Sequence, residues 1–260
     1  MKVSLVISTY NWPQALDICL MSALSQTRLP DEIVIADDGS KEETRLLIES
    51  FKRQSQVPIV HVWHEDLGFR LAMIRNRALR AATGDYIVQV DGDVILDSHF
   101  IADHIDVAEK GCFIRGTRCC ITEEVSSQLL QEKRASLRIY SKGFKSRFNA
   151  TRLPFAFSRK ESDATKVKGC NMAFWRDDLV AVNGYNNQLQ GWGHEDEELC
   201  WRLINLGLKK KIVKMHAVVY HLHHKLCSRE SEDQHKEELK RCIQDRVVRA
   251  ENGYDQIDEV

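Results

Sequence analysis

Apolar and polar positions follow two alternating rhythms along the first hundred residues. Val3-Ser4-Leu5-Val6-Ile7-Ser8 is a short β-branched run, the length and composition of a buried strand. After Pro13, residues Leu16, Cys19, Leu20, Ala23 and Leu24 fall on one helical face, which predicts a helix with proline in its first turn. The rhythm recurs as Glu32 to Ala36 then Leu47, Ile48 and Phe51, as Ile59 to Trp63 then Leu71, Ile74 and Ala78, and as a fourth strand from Tyr86 to Val90. Crossover helices join parallel strands, so these repeats predict an α/β fold with a Rossmann-like, mostly parallel central sheet flanked by helices. The pattern loosens after Asp93. It returns at Asn171 to Trp175, at a helix from about His194 to Leu206, and at a strand from Ala217 to Leu222. Leu239, Cys242, Ile243 and Val247 predict an amphipathic C-terminal helix, and Asn252 onward is expected to fray.

Chemistry-bearing residues sit where these strands end, the edge at which open α/β sheets bind ligands. Strand two runs into Asp37-Asp38-Gly39-Ser40 and strand four into Asp91-Gly92-Asp93. Asp-Gly-Ser is also what a plain turn and helix cap would use, but matching polar motifs at successive strand ends favour a binding role. Alternation places Asp91 and Asp93 on the same side, where two carboxylates repel unless a cation or donor neutralises them. A divalent metal with a phosphate ligand is the natural partner. Further on, Gly191-Trp192-Gly193-His194-Glu195-Asp196 opens a helix. Acids in a first turn stabilise the macrodipole by roughly 0.3 to 1 kcal/mol, but the run from Glu195 to Glu198 exceeds what capping needs. Trp192 lies between two glycines that leave its ring face open, which a core tryptophan would not need. His221, His223 and His224 close the late strand, and alternation would put His221 and His223 on one face.

Composition narrows the classes. With 37 Lys plus Arg against 38 Asp plus Glu in 260 residues, the global field gives no reason to expect a nucleic-acid partner. The eight cysteines show no Cys-x-x-Cys spacing, so reduced thiols in a cytoplasmic protein are expected rather than a disulfide frame or zinc knuckle. The first apolar run is too short for a signal-peptide core, and no run has the length of a membrane span. Residues 131–160 stand apart. Nine cations (Lys133, Arg134, Arg138, Lys142, Lys145, Arg147, Arg152, Arg159 and Lys160) face one acid, Glu132, with Tyr140, Phe144, Phe148, Phe155 and Phe157 between them. Such a stretch suits a solvated loop whose aromatics plug the core. It also suits peripheral contact with the inner face of an anionic membrane, a phosphorylated acceptor, or stacking on single strands.

The motifs together resemble an inverting family 2 glycosyltransferase of the GT-A fold, with a C-terminal half similar to that of the β-1,4-galactosyltransferases and bacterial chondroitin polymerases. The resemblance runs from residue 3 to about 225. It rests on Ser8-Thr9-Tyr10-Asn11, Asp37 to Ser40, Gly68 to Ala72 leading to Arg75-Asn76, Asp91 to Asp93, Gly169 to Phe174, and Gly191 to Asp196, in that order. Two positions depart from it: His194 stands where the relatives usually carry a second glycine, and Cys170 lies beside Asn171. It implies that Thr9, Tyr10, Asn11 and Asp37 or Asp38 hold the uridine of a UDP-sugar, an acid being able to accept from the uracil imide. Arg70 and Arg75 are candidates for the diphosphate or uracil edge, though either suits an ordinary ion pair. Gly169 and Asn171 join the donor side by the same resemblance. Asp93 is implied as direct metal ligand, Asp91 as a contact to ribose or metal-bound water, and His221 as the residue completing a Mn²⁺ (or Mg²⁺) shell, with His223 or His224 as alternatives to it. Asp196 is implied as the catalytic base, Glu195 as a partner of sugar hydroxyls, and Trp192, Gly193 and His194 as the acceptor side.

The expected function is metal-dependent, inverting transfer of a hexose or N-acetylhexosamine from a UDP-sugar to a growing surface glycan or lipid-linked saccharide. The expected organisation is a transferase domain over residues 1–227, with a nucleotide-binding half at 1–100 and an acceptor half at 101–227, then a tail at 228–260. A sugar-nucleotide nucleotidylyltransferase would share the sheet, but Ser8-Thr9-Tyr10-Asn11 is not its Gly-rich basic loop. A non-catalytic nucleotide- or glycan-binding module is the other alternative. No Gly-x-Gly-x-x-Gly follows any strand, which argues against a dehydrogenase.

Overall fold

The computed structural model describes residues 1–135, 137, 143–224 and 232–257, with the backbone alone at Arg147. The repeating rhythm folds as β1 (Val3–Thr9), α1 (Pro13–Ala23), β2 (Glu32–Asp37), α2 (Glu42–Gln54), β3 (Ile59–Trp63), α3 (Leu71–Ala81) and β4 (Tyr86–Asp91). Pro13 opens α1, where a missing backbone N–H leaves no bond unmade. The loosely patterned middle supplies β5 (Val94–Leu96), α4 (Phe100–Val107), β6 (Cys112–Arg115), β7 (Thr117–Cys120), α5 (Glu123–Gln131), α6 (Arg147–Ala150) and β8 (Phe157–Glu161). Then come β9 (Asn171–Trp175), α7 (Arg176–Ala181), α8 (Glu195–Asn205), β10 (Lys209–Lys214), β11 (Val218–His221) and α9 (Glu232–Gln244).

Among the described residues the large sheet has the order β3-β2-β1-β4-β9-β6-β10-β8. Its first four strands are parallel. β9 then runs antiparallel to both β4 and β6, so the sheet is mixed beyond the first half. Strand direction is set by the connections and not by side-chain alternation, which is why periodicity alone did not reveal the reversal. Alternate residues of one strand face opposite sides. Leu5, Ile7, Val88 and Val90 pack with Leu16 of α1, Ile48 of α2 and Phe100 of α4. Val6 and Ile87 pack with Ile74 of α3, Leu179 of α7 and Leu203 of α8. Helices thus cover both faces.

A small sheet, β5-β11-β7, stands beside this body. β11 pairs antiparallel with β5 and parallel with β7, which sets His221 opposite Val94 and Cys120. The site depends on that register, because Val94 directly follows Asp93.

One expectation needs correction here. The tail from Asn252 does not fray before Ile257: Asn187 N–H donates to Asn252 O at 2.9 Å, Tyr254 N–H to Asn183 O at 2.8 Å, and Ile257 is buried. Four cations of the basic stretch meet acids outside it and one meets an acid within it. Lys133 pairs with Asp17 and Arg152 with Asp103, while Lys160 meets Glu109; Arg134 and Arg159 pair with Glu132 and Glu161. Arg138, Tyr140 and Lys142 lie outside the described residues. Phe144 packs on Tyr220, as a plugging aromatic would, whereas Phe148, Phe155 and Phe157 are exposed. Among the described residues, no helix is long and apolar enough to cross a membrane.

Candidate active site

The Asp91-Gly92-Asp93 triplet carries the chain from β4 of the large sheet to β5 of the small one. Asp93 Oδ2 lies 3.2 Å from His224 Nε2 and 3.6 Å from His221 Nε2. The remaining oxygen, Asp93 Oδ1, is buried with no hydrogen-bond partner. His221 Nδ1 is 2.8 Å from Leu222 O; a carbonyl only accepts, so Nδ1 donates there and Nε2 is the nitrogen left facing Asp93. One carboxylate and two imidazoles within 4.8 Å of one another, with an orphaned oxygen among them, fit a divalent ion that accepts nitrogen and oxygen ligands. The predicted pairing of His221 with His223 does not form. β11 ends at His221, alternation stops there, and His223 N–H instead donates to Ser126 Oγ at 2.8 Å. His224 takes the place beside Asp93, with the edge of Trp12 against its ring.

Arg75 stands at the other focus. It is only 3% exposed, and its guanidinium donates to Ser8 Oγ at 3.1 Å, Asp196 Oδ1 at 2.9 Å and Asp91 Oδ1 at 2.9 Å, with Glu195 Oε1 3.8 Å away. Three acids around one cation leave uncompensated negative charge in a desolvated place. Burial pushes the Glu195 carboxyl up to about 7, Asp196 adding to the rise and Arg75 opposing it. Burial also raises Asp91, against Arg75, but that side chain keeps 33% of its surface open to solvent, which blunts the rise. The Asp196 carboxylate uses Oδ1 for Arg75 and for the Tyr185 hydroxyl, 3.1 Å away. No hydrogen bond from a described residue reaches Oδ2.

Local sequence explains this placement. Gly169 is required because a Cβ there would lie 2.2 Å from Asp196 Oδ2. Asn76, next to Arg75 on α3, is fully buried and donates to Tyr185 O and Asn187 Oδ1, fixing the loop that brings Tyr185 under Asp196. His194 adopts a left-handed φ of 64° at the start of α8, a conformation glycine takes without strain. Glycine would therefore suit this position.

Both foci open into one cavity of about 560 Å³ at the carboxyl ends of β1, β2 and β4. Of the predicted residues, Thr9, Tyr10, Asp38, Arg75, Asp91, Asp93, Gly169, Trp192, Gly193, His194, Glu195, Asp196 and His221 line it. Asn11, Asp37, Arg70 and Asn171 do not. Asp37 faces β3 instead, with Oδ2 2.8 Å from His61 Nε2, while Asp38 turns to the cavity and accepts from Arg70 N–H at 3.0 Å. Asn171 is 1% exposed; its amide donates to Thr117 O and Ala217 O, and its oxygen lies 3.0 Å from His104 Nε2. It ties β9 to the approaches of β7 and β11. Asn11 accepts from Lys41 N–H at 2.9 Å and so braces the turn after β2. The residues sequence reasoning missed are Trp12, Tyr185 and Arg118, a cavity-lining residue whose guanidinium has no carboxylate within 4 Å among the described residues. Tyr185 had one available signal, its place just before the Gly191 motif; Arg118 had none.

The fold and site define a class, the GT-A glycosyltransferases. The chain superimposes on S. aureus TarS 1–349 with a TM-score of 0.65 at 15% identity, covering 98% of this chain and 68% of that one. It superimposes on GalNAc-T7 with UDP, GalNAc and Mn²⁺ with a TM-score of 0.62 at 17% identity, covering 86% and 44%. Residues 4–165 match the model of glycosyl transferase family 2, and residues 151–225 that of the N-terminal domain of galactosyltransferase. The chain belongs to glycosyl transferase family 2. It is 29% identical over 225 residues to the validoxylamine A glucosyltransferase of Streptomyces hygroscopicus subsp. limoneus, covering 79% of this chain and 48% of that protein. It is 25% identical over 247 residues to the chondroitin synthase of Escherichia coli, covering 84% and 34%. The chain therefore spans between a third and a half of the length of these relatives.

Proposed function

We propose that this chain transfers a hexose or N-acetylhexosamine from a UDP-sugar to a hydroxyl of a growing glycan, with inversion at the anomeric carbon and a divalent metal at Asp93, His221 and His224. The observation that carries this reading is the shared cavity: the Asp93–His221–His224 cluster and the Asp196 carboxylate open into the same space at the strand ends. The nucleoside lies against Thr9, Tyr10 and Asp38. Mn²⁺ or Mg²⁺ held by the cluster would neutralise charge developing on the leaving diphosphate. Asp196 Oδ2 accepts the proton of the attacking hydroxyl, while Arg75 holds Oδ1 in place. Trp192 stacks on the acceptor ring and Glu195 receives its hydroxyls. Attack from the side opposite the diphosphate turns an α-linked donor into a β-linked product.

The names of the relatives support a glycan acceptor, and the neighbours solved with UDP or Mn²⁺ support donor and metal. Peripheral membrane contact through residues 131–160 has support only in exposed Phe148, Phe155 and Phe157; a cytoplasmic setting belongs to the same reading. The test is a panel of UDP-sugars with Mn²⁺, read by UDP release and thermal stabilisation, followed by NMR of the product anomeric proton. Metal-dependent release and a β-linked product are expected. Release that is equal in EDTA, or a product retaining the α configuration, would refute the mechanism.

A further inference from the structure

The turn that carries Trp192 has an unusual backbone. Gly191, Gly193 and His194 all hold positive φ, at 97°, 117° and 64°, and such a segment keeps one shape only if its surroundings determine it. Two holds come from nearby in the site: Gly191 N–H donates to Phe69 O at 2.9 Å and Gly193 N–H to Glu195 Oε2 at 3.1 Å. The other two come from a single side chain on α9. His235 is 1% exposed, its Nδ1 lies 2.5 Å from Gly193 O, and its Nε2 lies 3.0 Å from Gln190 O. Carbonyl oxygens only accept, so the ring meets them through its N–H groups. The two carbonyls bracket Trp192.

α9 is itself seated on the helix that begins with Glu195 and Asp196. Asn205 of α8 donates to Cys242 O at 3.2 Å, the Cys242 thiol lies 3.9 Å from Glu198 O, and Leu239 is buried. Glu232, the first residue of α9, lines the same cavity as Trp192. Yet α9 lies beyond both matched regions, which end at residues 165 and 225.

Resting on the glycosyltransfer reading, we propose that His235 is a positioning residue for the acceptor side of the site: it clamps the Gln190–Gly193 turn and so makes the C-terminal helix part of the transferase centre. The clamp fixes the plane of Trp192 and the entry into α8, and through it the position of Asp196 against the acceptor hydroxyl.

Two substitutions separate hydrogen bonding from packing. His235→Leu fills the space and donates nothing. His235→Asn is smaller, but its amide nitrogen stands near the place of Nδ1 and can donate to Gly193 O. Hydrogen exchange of the Gln190–Glu195 amides is measured in the free full-length chain, alongside UDP titration in Mn²⁺ and UDP release from UDP-glucose, UDP-galactose and their N-acetylamino counterparts. In His235→Leu the turn is expected to exchange at least roughly tenfold faster, and His235→Asn to recover most of the protection. Turnover should follow the same order, down at least about tenfold in His235→Leu, while UDP–Mn²⁺ affinity stays within about twofold of wild type in both. Protection kept by Leu and lost by Asn would show that the ring only fills space and would overturn the proposal. So would equal exchange in all three proteins, or a faster-exchanging turn with unchanged turnover. If the wild-type chain releases UDP from no donor, the transfer reading falls, while the exchange order still decides whether His235 clamps the turn.

Discussion

Gly169→Ala is a one-carbon test of how the site is built. The added Cβ would lie 2.2 Å from Asp196 Oδ2 and 2.6 Å from Asp196 Cγ and Oδ1. Relieving the contact to 3.0 Å requires a displacement of about 0.8 Å. Asp196 is not a free side-chain end, because Oδ1 is held by Arg75 at 2.9 Å with the Tyr185 hydroxyl at 3.1 Å. The Gly169 backbone is held as well, since its carbonyl accepts from Gln89 Nε2 at 3.1 Å. Whichever side yields loses a buried hydrogen bond, so the variant should be less stable by about 1 to 3 kcal/mol. For a chain of this length that is a fall in Tm of roughly 2 to 10 °C. A catalytic group misplaced by close to 1 Å slows turnover about a hundredfold, whereas UDP–Mn²⁺ affinity at Asp93 and the histidines should hold. The assays are thermal unfolding, UDP titration and UDP release. The decisive control repeats the change in an Asp196→Ala background, where the clashing atoms are gone and the stability cost should shrink below about 0.5 kcal/mol. A full cost in that background, or a Gly169→Ala enzyme with ordinary turnover, would refute the account.

Glu195→Gln tests the buried acid cluster through pH. The Glu195 carboxyl rises from 4.5 to about 7 in the folded chain, so the native state holds a proton that the unfolded chain has released. Its contribution, at most on the order of 3 kcal/mol, is present below about pH 4.5 and lost as pH climbs to 7. Urea unfolding from pH 4.5 to 8 should show that downward component in wild type and not in Glu195→Gln; identical profiles would count against it. His224→Ala should weaken Mn²⁺ binding, followed by electron paramagnetic resonance, at least about tenfold, while His223→Ala leaves it within about twofold. The reverse order would restore strand alternation through His223. Ending the chain after Glu251 removes Gln256, a partner of Asn183, and Asn252 and Gly253, partners of Asn187, so exchange at residues 183–187 should accelerate and stability fall by at least about 2 kcal/mol; an unaltered chain would return the tail to the frayed state.

Local pattern was enough to reveal the half of the fold from Val3 to Asp91. Strands β1, β2 and β4 are contiguous buried runs and each helix is a contiguous stripe, so the period of apolar residues reports the element and the strand end marks where Asp38, Asp91 and Asp93 emerge. The acids opening α8 were legible for the same reason, since four in one turn exceed what a cap needs. From Val94 to Glu161 the strands are three to five residues long, too short for a period to show, and their direction depends on the connections. The composition of the site was decided at greater range still. Arg75 meets Asp91 and Asp196 across 16 and 121 residues, which makes a candidate phosphate ligand the hub of a carboxylate cluster. The end of β11 at His221 chose His224 over His223, and the crossing of β9 under β7 and β11 turned Asn171 inward. His235 reaches the turn of Trp192 because α9 packs on α8. Sequence period determines what each segment is, because that follows from neighbours along the chain; which side chains share a cavity follows from contacts between distant segments, and packing settles those.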